Sequence, residues 1–113
     1  MNGCLFCRII AKEIPAAFEY ESDSLVAIRD INPQAPVHLL VVPKKHIERI
    51  SQTDKSEAAL LGEMIICAKE IAKQRGLKEG FRLVLNDGAI AGQSVFHIHL
   101  HLLGGREMAW PPG

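Results

Sequence analysis

Phe96-His97-Ile98-His99-Leu100-His101-Leu102-Leu103 is the stretch on which the fold turns. Three of the five histidines stand here at alternate positions, with Ile98, Leu100 and Leu102 between them. Alternation with period two marks a β-strand, whose successive side chains point to opposite faces. His97, His99 and His101 then share one face at intervals of roughly 7 Å, and the aliphatics enter the core. A helix would scatter both sets, turning about 200° per alternate residue. Such a row of imidazoles has three readings. It is a solvent-facing strand that happens to be His-rich, a metal site built from neutral imidazoles, or a covalent catalyst. In the last, one imidazole attacks phosphorus while its neighbours set its tautomer and charge. The loop Gly92-Gln93-Ser94 leads directly into the run and weighs against the first.

Immediately upstream, Phe81–Asn86 reads as a strand that ends in the turn signal Asn86-Asp87-Gly88. In the loop that follows, Gly92 lets the backbone come close to a ligand, and Gln93 and Ser94 offer donors. Downstream, Gly104-Gly105 breaks the sheet and Met108–Gly113 forms an extended tail. Further back, Val37–Pro43 is an apolar strand with His38 inside it. That histidine gains weight only if the strand lies beside the triad. Ser24–Ile31 is another strand, with Phe18–Glu21 paired to it across Ser22-Asp23. Asn32-Pro33-Gln34-Ala35-Pro36 is a rigid loop, since each proline restricts itself and its predecessor. Lys44-Lys45-His46 is a basic turn at the strand exit.

From Thr53-Asp54 to Arg75 the pattern is helical: Leu61, Ile65, Ala68 and Ala72 form a stripe broadened by Leu60, Met64 and Ile71. Asp54 or Thr53 is the N-cap, Gly76 closes the helix, and Cys67 is core filler. Near the start, Arg8–Glu13 reads as a short helix stopped by Pro15. Cys4-x-x-Cys7 precedes it. The pair is two buried small side chains, a redox dithiol, or half of a zinc site that needs two further ligands.

The expected architecture is α+β: one domain over residues 1–113, with an antiparallel sheet of about five strands, one long helix and one short one. The 13 Lys+Arg balance 13 Asp+Glu, so no basic excess favours nucleic acid. No stretch approaches the ~20 apolar residues of a membrane span, and no signal-peptide pattern opens the chain. Three cysteines, an odd number, argue against a secreted disulfide framework. The expected address is the cytoplasm, with neither nucleic acid nor membrane as partner.

His97-Ile98-His99-Leu100-His101-Leu102-Leu103 resembles the His-x-His-x-His-x-x pattern that names the histidine-triad (HIT) family. Asp30–His38, Pro43–Ile47, Gly92–Phe96 and Trp110-Pro111-Pro112-Gly113 are similar to the Hint branch of that family, in the same order. The resemblance implies the HIT-like fold and a homodimer whose sheets join. It also implies hydrolysis of purine nucleoside phosphoramidates, AMP linked through nitrogen to an amine. By position, His99 is the implied nucleophile, with His38, His97 and His101 in support; a leaving amine needs a proton, and the Ser94 hydroxyl is the group expected to relay it. Asp30 is implied to hold the ribose and Ile31 to wall the base. Asn86, Gly92, Gln93 and Ser94 are implied to line the phosphate side, and Trp110 to sit near the partner subunit's site. Where C-x-x-C is kept, the resemblance implies structural zinc on Cys4, Cys7, His46 and His97. That assignment takes His97 out of the proton relay and makes it the anchor of the strand presenting His99.

Several rivals remain. A metallohydrolase would use His97, His99 and His101 as ligands, but three alternate strand positions span about 13 Å against ligand bonds near 2 Å. Within the family, dinucleoside polyphosphate hydrolysis is an alternative, as is a nucleotide-binding adaptor with incidental catalysis. Nucleotidyl transfer to a sugar phosphate fits less well, because that branch resembles His-x-His-x-Gln and His101 stands at the third position here.

Overall fold

In the computed structural model, which describes residues 3–113, the chain first forms a short helix, α1 (Leu5–Ile10). A hairpin follows, β1 (Phe18–Glu21) and β2 (Leu25–Arg29). Its turn is fastened by the Ser22 hydroxyl, which accepts the N–H groups of Ser24 and Leu25. Then come β3 (Val37–Pro43), the long helix α2 (Ala58–Gln74), β4 (Arg82–Val84) and β5 (Leu100–Gly104). The five strands make one antiparallel sheet in the order β1-β2-β3-β5-β4. The α+β expectation is thus met, and β3 does lie beside the strand that carries His101.

The central strands are buried on both faces, which is why β2 and β3 read as nearly continuous apolar runs. One face of the sheet, with Leu25, Ala27, Leu39, Val41, Leu100 and Leu102, packs on Met64, Ala68, Ile71 and Ala72 of α2. On the opposite face Val26, Ile28, Leu40 and Val42 meet Phe6 and Ile9 of α1. Residues paired across an antiparallel ladder share a face, and the register sets His38 opposite Leu103 and Leu40 opposite His101. His38 and His101 therefore belong to the α1 side.

Four sequence expectations need correction. The histidine strand begins only at Leu100. Extending the Val41–Leu100 register sets Ile98 opposite Pro43, which has no N–H to donate, so the ladder stops. The short helix lies earlier than Arg8–Glu13 because a thiol caps it: Cys4 Sγ accepts the Cys7 N–H at 3.4 Å. Asp54 does cap, with Glu57 in a capping box, but it caps a 3₁₀ turn over Lys55–Glu57 that runs into α2. Ile65 is exposed, since the buried stripe runs through Met64, Ala68, Ile71 and Ala72. β2 and β4 are shorter at both ends than Ser24–Ile31 and Phe81–Asn86, whereas β1 and β3 have the expected bounds. Cys67 packs against the core, and burial pushes its thiol up to about 11, the behaviour of an unreactive filler.

Candidate functional site

Main-chain partners assign the proton of each histidine in turn. His99 Nδ1 stands 2.8 Å from the carbonyl oxygen of His97. A carbonyl only accepts, so Nδ1 carries the proton and the lone pair lies on Nε2. The His99 ring is buried and set edge-on to Phe6, with centroids 4.9 Å apart. Burial is the main cause that lowers its pKa, which keeps the imidazole neutral. His38 Nδ1 accepts the N–H of Gln34 at 2.9 Å, so the proton of His38 is on Nε2. That proton points to His101 Nδ1 at 2.9 Å, with Asp30 Oδ2 at 3.4 Å as a second acceptor. His101 consequently carries its own proton on Nε2.

Asp30, His38 and His101 come close enough for a metal to be considered, yet their protons argue otherwise. For His38 to ligate through Nε2, its proton would have to move to Nδ1, against the Gln34 N–H. The group is a hydrogen-bonded chain, and the metallohydrolase arrangement on His97, His99 and His101 does not form.

His97 belongs to a different cluster. Its Nε2–H donates to the Pro43 carbonyl at 2.7 Å, which leaves Nδ1 bare. Around that nitrogen stand Cys4 Sγ at 3.3 Å, Cys7 Sγ at 3.5 Å and His46 Nδ1 at 3.2 Å; Cys7 Sγ is also 3.3 Å from His46 Nδ1. Four ligand atoms of a Cys₂His₂ set thus lie within 4.8 Å of one another. Bonds of about 2.0–2.3 Å from a common tetrahedral centre require edges of roughly 3.3–3.8 Å. The four residues fit such a metal. His97 is fully buried, and burial is the main cause holding its pKa low, so its nitrogen is free to ligate.

The loop before the triad is braced from below. Arg49 pairs with Asp87 at 2.9 Å, and Gly88 (φ +92°) lies so close that a Cβ there would meet Arg49 Nη2 at 2.5 Å. Gln93 does not serve as a phosphate donor in this arrangement. It is buried, its Oε1 accepts the Gly88 N–H at 2.8 Å, and its Nε2 donates to the carbonyls of Glu48 and Val95 at 2.7 and 3.1 Å. Its amide is consumed in shaping the loop. Ser94 is exposed. Gly92, in the left-handed region, lies beside half-buried Asn86, whose Nδ2 would stand 3.5 Å from an added Cβ.

Asp30 keeps Oδ1 on the Asn32 N–H at 2.8 Å and stays partly open to solvent. Ile31 next to it is fully exposed, as is most of Trp110. The tail that carries Trp110 is tied to β4 through Arg82, which donates to the Ala109 carbonyl at 2.8 Å. Reasoning from sequence missed three parts of the site: Phe6, the Pro43 carbonyl and the Gln34 amide. An apolar residue two positions into C-x-x-C was a usable signal for Phe6. Main-chain groups leave none.

His101 makes the site sensitive to acid. Burial, followed by His99 and His38, brings its pKa down to about 4, against 6.5 for an ordinary imidazole. Between those values the unfolded chain binds the extra proton and the folded one does not. The stability this group contributes is therefore whole above pH 6.5 and lost as pH falls through 4. Tm is expected to drop across this window, by roughly 4 °C per kcal/mol lost. A His101→Gln variant, which cannot titrate, should show a shallower slope. Parallel Tm–pH curves for the two proteins would contradict the assignment.

The HIT domain model matches residues 11–108. An uncharacterized HIT-like protein of Synechocystis sp. is 52% identical over 109 residues, 96% of each chain. The crystal structure of a HIT family hydrolase from Legionella pneumophila superposes with a TM-score of 0.96 at 53% identity, covering 98% of this chain and 100% of that one. A histidine triad nucleotide-binding protein from Candida albicans superposes with a TM-score of 0.81 at 30% identity, over 96% of this chain and 83% of that one.

Proposed function

The chain belongs to the HIT domain family, and from that membership and the site geometry we propose that it hydrolyses purine nucleoside 5′-phosphoramidates through a nucleotidyl-His99 intermediate. One observation carries the proposal: the His97 carbonyl fixes the proton of His99 on Nδ1 and leaves Nε2 a bare nucleophile. The hydrolase and nucleotide-binding descriptions of its structural relatives support it.

His99 Nε2 attacks the α-phosphorus and the P–N bond breaks. The electron pair leaves on the amine, which takes a proton from solvent relayed by the exposed Ser94 hydroxyl. As the ring becomes cationic, its Nδ1–H strengthens its bond to the His97 carbonyl. His101, braced by His38, offers Nε2–H to a phosphoryl oxygen, the kind of preorganised donor a phosphoryl transition state requires. Water then attacks the phosphorus, forming the P–O bond as the P–N electron pair returns to His99 Nε2; its proton passes to solvent and the nucleoside monophosphate is released. Asp30 holds the ribose, Ile31 walls the base, and Asn86, Gly92 and Ser94 line the phosphate side. Cys4, Cys7, His46 and His97 would hold zinc with all four positions filled by protein, leaving none for substrate, so its contribution would be structural. We further place the protein in the cytoplasm as a homodimer that joins its sheets, with Trp110 reaching the partner's site.

The test is a comparison of kcat/KM for adenosine 5′-phosphoramidate and a diadenosine polyphosphate, with acid-quenched samples analysed for an adenylylated His99 peptide. Preference for the phosphoramidate with a trapped adduct is expected. Preference for the polyphosphate would move the protein to that class of hydrolase. Tight AMP binding without turnover would make it an adaptor.

A further inference from the structure

We propose that the main-chain N–H of Gln34, clasped in place by Arg106, is a positioning group that fixes the tautomer of His38 and so keeps His101 a neutral hydrogen-bond donor, not a general acid. The effect on rate rests on the hydrolase proposal above, whereas the tautomer is a property of the folded chain. Gln34 N–H occupies the lone pair of His38 Nδ1 at 2.9 Å. A proton placed there would meet another N–H head-on, so His38 is confined to one proton, on Nε2. Across the sheet that proton lies 2.9 Å from His101 Nδ1. While it points there, His101 Nδ1 cannot accept a second proton, and His101 keeps Nε2–H alone. An imidazolium at His101 would require the whole His38 ring to move so that its Nε2–H faces Asp30 Oδ2, 3.4 Å from that nitrogen.

The donor is held by more than its own loop. Arg106 Nε donates to the Gln34 carbonyl at 3.0 Å, and Arg106 Nη1 donates to the Glu107 carbonyl at 2.9 Å. Gly105, at φ +90°, lets the chain lie against Pro36, where a Cβ would meet Pro36 Cβ at 3.0 Å. From the β2 side, Asp30 Oδ1 accepts the Asn32 N–H, and Gln34 Nε2 donates to the Asn32 carbonyl at 3.0 Å. Pro33 and Pro36 stiffen what lies between. The strand that presents His101 thus continues into the clasp that orients the partner of His101.

Gln34→Ala and Gln34→Pro both delete the side-chain amide, but only proline deletes the N–H. Two-bond ¹⁵N–¹H spectra of histidine-labelled protein at neutral pH read the tautomers directly. Wild type is expected to show His38 protonated on Nε2 and bare on Nδ1. Gln34→Ala, which keeps the N–H and loses only the bond to the Asn32 carbonyl, should show the same predominant tautomer with a smaller loss of kcat than Gln34→Pro. Gln34→Pro should show mixed tautomers, and kcat should fall about tenfold or more at nearly constant KM, since a wrong tautomer has cost a catalytic triad ~10⁴. Arg106→Leu, which leaves the loop sequence intact, should move both readouts the same way by a smaller amount. A wild-type His38 protonated on Nδ1 would overturn the proposal, as would a folded Gln34→Pro with the wild-type tautomer. If Gln34→Pro does not fold, an Arg106→Leu protein unchanged in both readouts would overturn it. Wild type that turns over no phosphoramidate sinks the hydrolase reading alone, and the spectra still decide this one.

Discussion

His99→Ala is expected to lower kcat for adenosine 5′-phosphoramidate by on the order of 10⁴ or more, with KM changed only a few-fold. Removing a nucleophile forfeits the covalent route, and what survives is the contribution of positioning and of the donors aimed at the phosphoryl oxygens. Substrate binding changes little because the ribose and phosphate contacts assigned to Asp30 and Ser94 do not involve the ring. The adenylylated peptide expected with wild type should be absent. The fold should survive, because the His97 side chain is held independently by Pro43. The cost is a cavity beside Phe6 and a His97 carbonyl without its donor. A His99→Gly variant, with more room, should recover part of its activity when imidazole is added. Wild-type turnover in His99→Ala would end the covalent mechanism. A normal kcat with a raised KM would recast His99 as a binding residue.

The architecture was legible because it follows from side-chain periodicity. Ile98, Leu100 and Leu102 are buried as the alternation required, and the Met64–Ala72 stripe needs only helical spacing. What failed did so where main chain or an unusual cap took over. A proline on the neighbouring strand ends the histidine ladder, a property of β3 and not of the triad's own sequence. A cysteine caps α1, where serine, threonine, aspartate or asparagine is the usual signal. Ile65 fits the helical stripe by spacing, yet only one of two adjacent rows can face the sheet.

The candidate site was legible as residue types and less so as roles. His38 could not be weighted until β3 was placed beside β5. Gln93 carries two donors and an acceptor in a loop beside the triad, which on paper describes a ligand residue. The same inventory serves a buried brace, and only tertiary placement separates the two. Every tautomer depends on a main-chain group: the carbonyls of His97 and Pro43 and the amide of Gln34. Such groups exist at every position, so no residue code announces them.

Cys7→Ser is expected to abolish metal retention and to lower Tm by roughly 15 °C. The estimate takes zinc binding at free metal about 1,000-fold above Kd, worth about 4 kcal/mol, and roughly 4 °C per kcal/mol in a domain of this size. Serine keeps the volume but is a poor ligand near pH 7, where its hydroxyl holds its proton. The loss is large because the cluster ties together three segments that share no strand ladder: α1 with Cys4 and Cys7, the β3 exit with His46, and the triad approach with His97. It is smaller than in a zinc finger, since the sheet and α2 form a core without the metal. Chelated wild type should match untreated Cys7→Ser in Tm, and chelator should not lower the variant further. Activity separates a structural from a catalytic metal. A metal would be held by the ring of His97, whereas His99 is bonded to its carbonyl. Metal loss should therefore slow turnover only as far as that carbonyl shifts, about tenfold and far less than His99→Ala. Complete loss of turnover in proportion to metal removed would restore the metal-catalysed alternative. A wild-type protein that takes up no zinc and melts identically with chelator would leave the four residues as a hydrogen-bonded cluster.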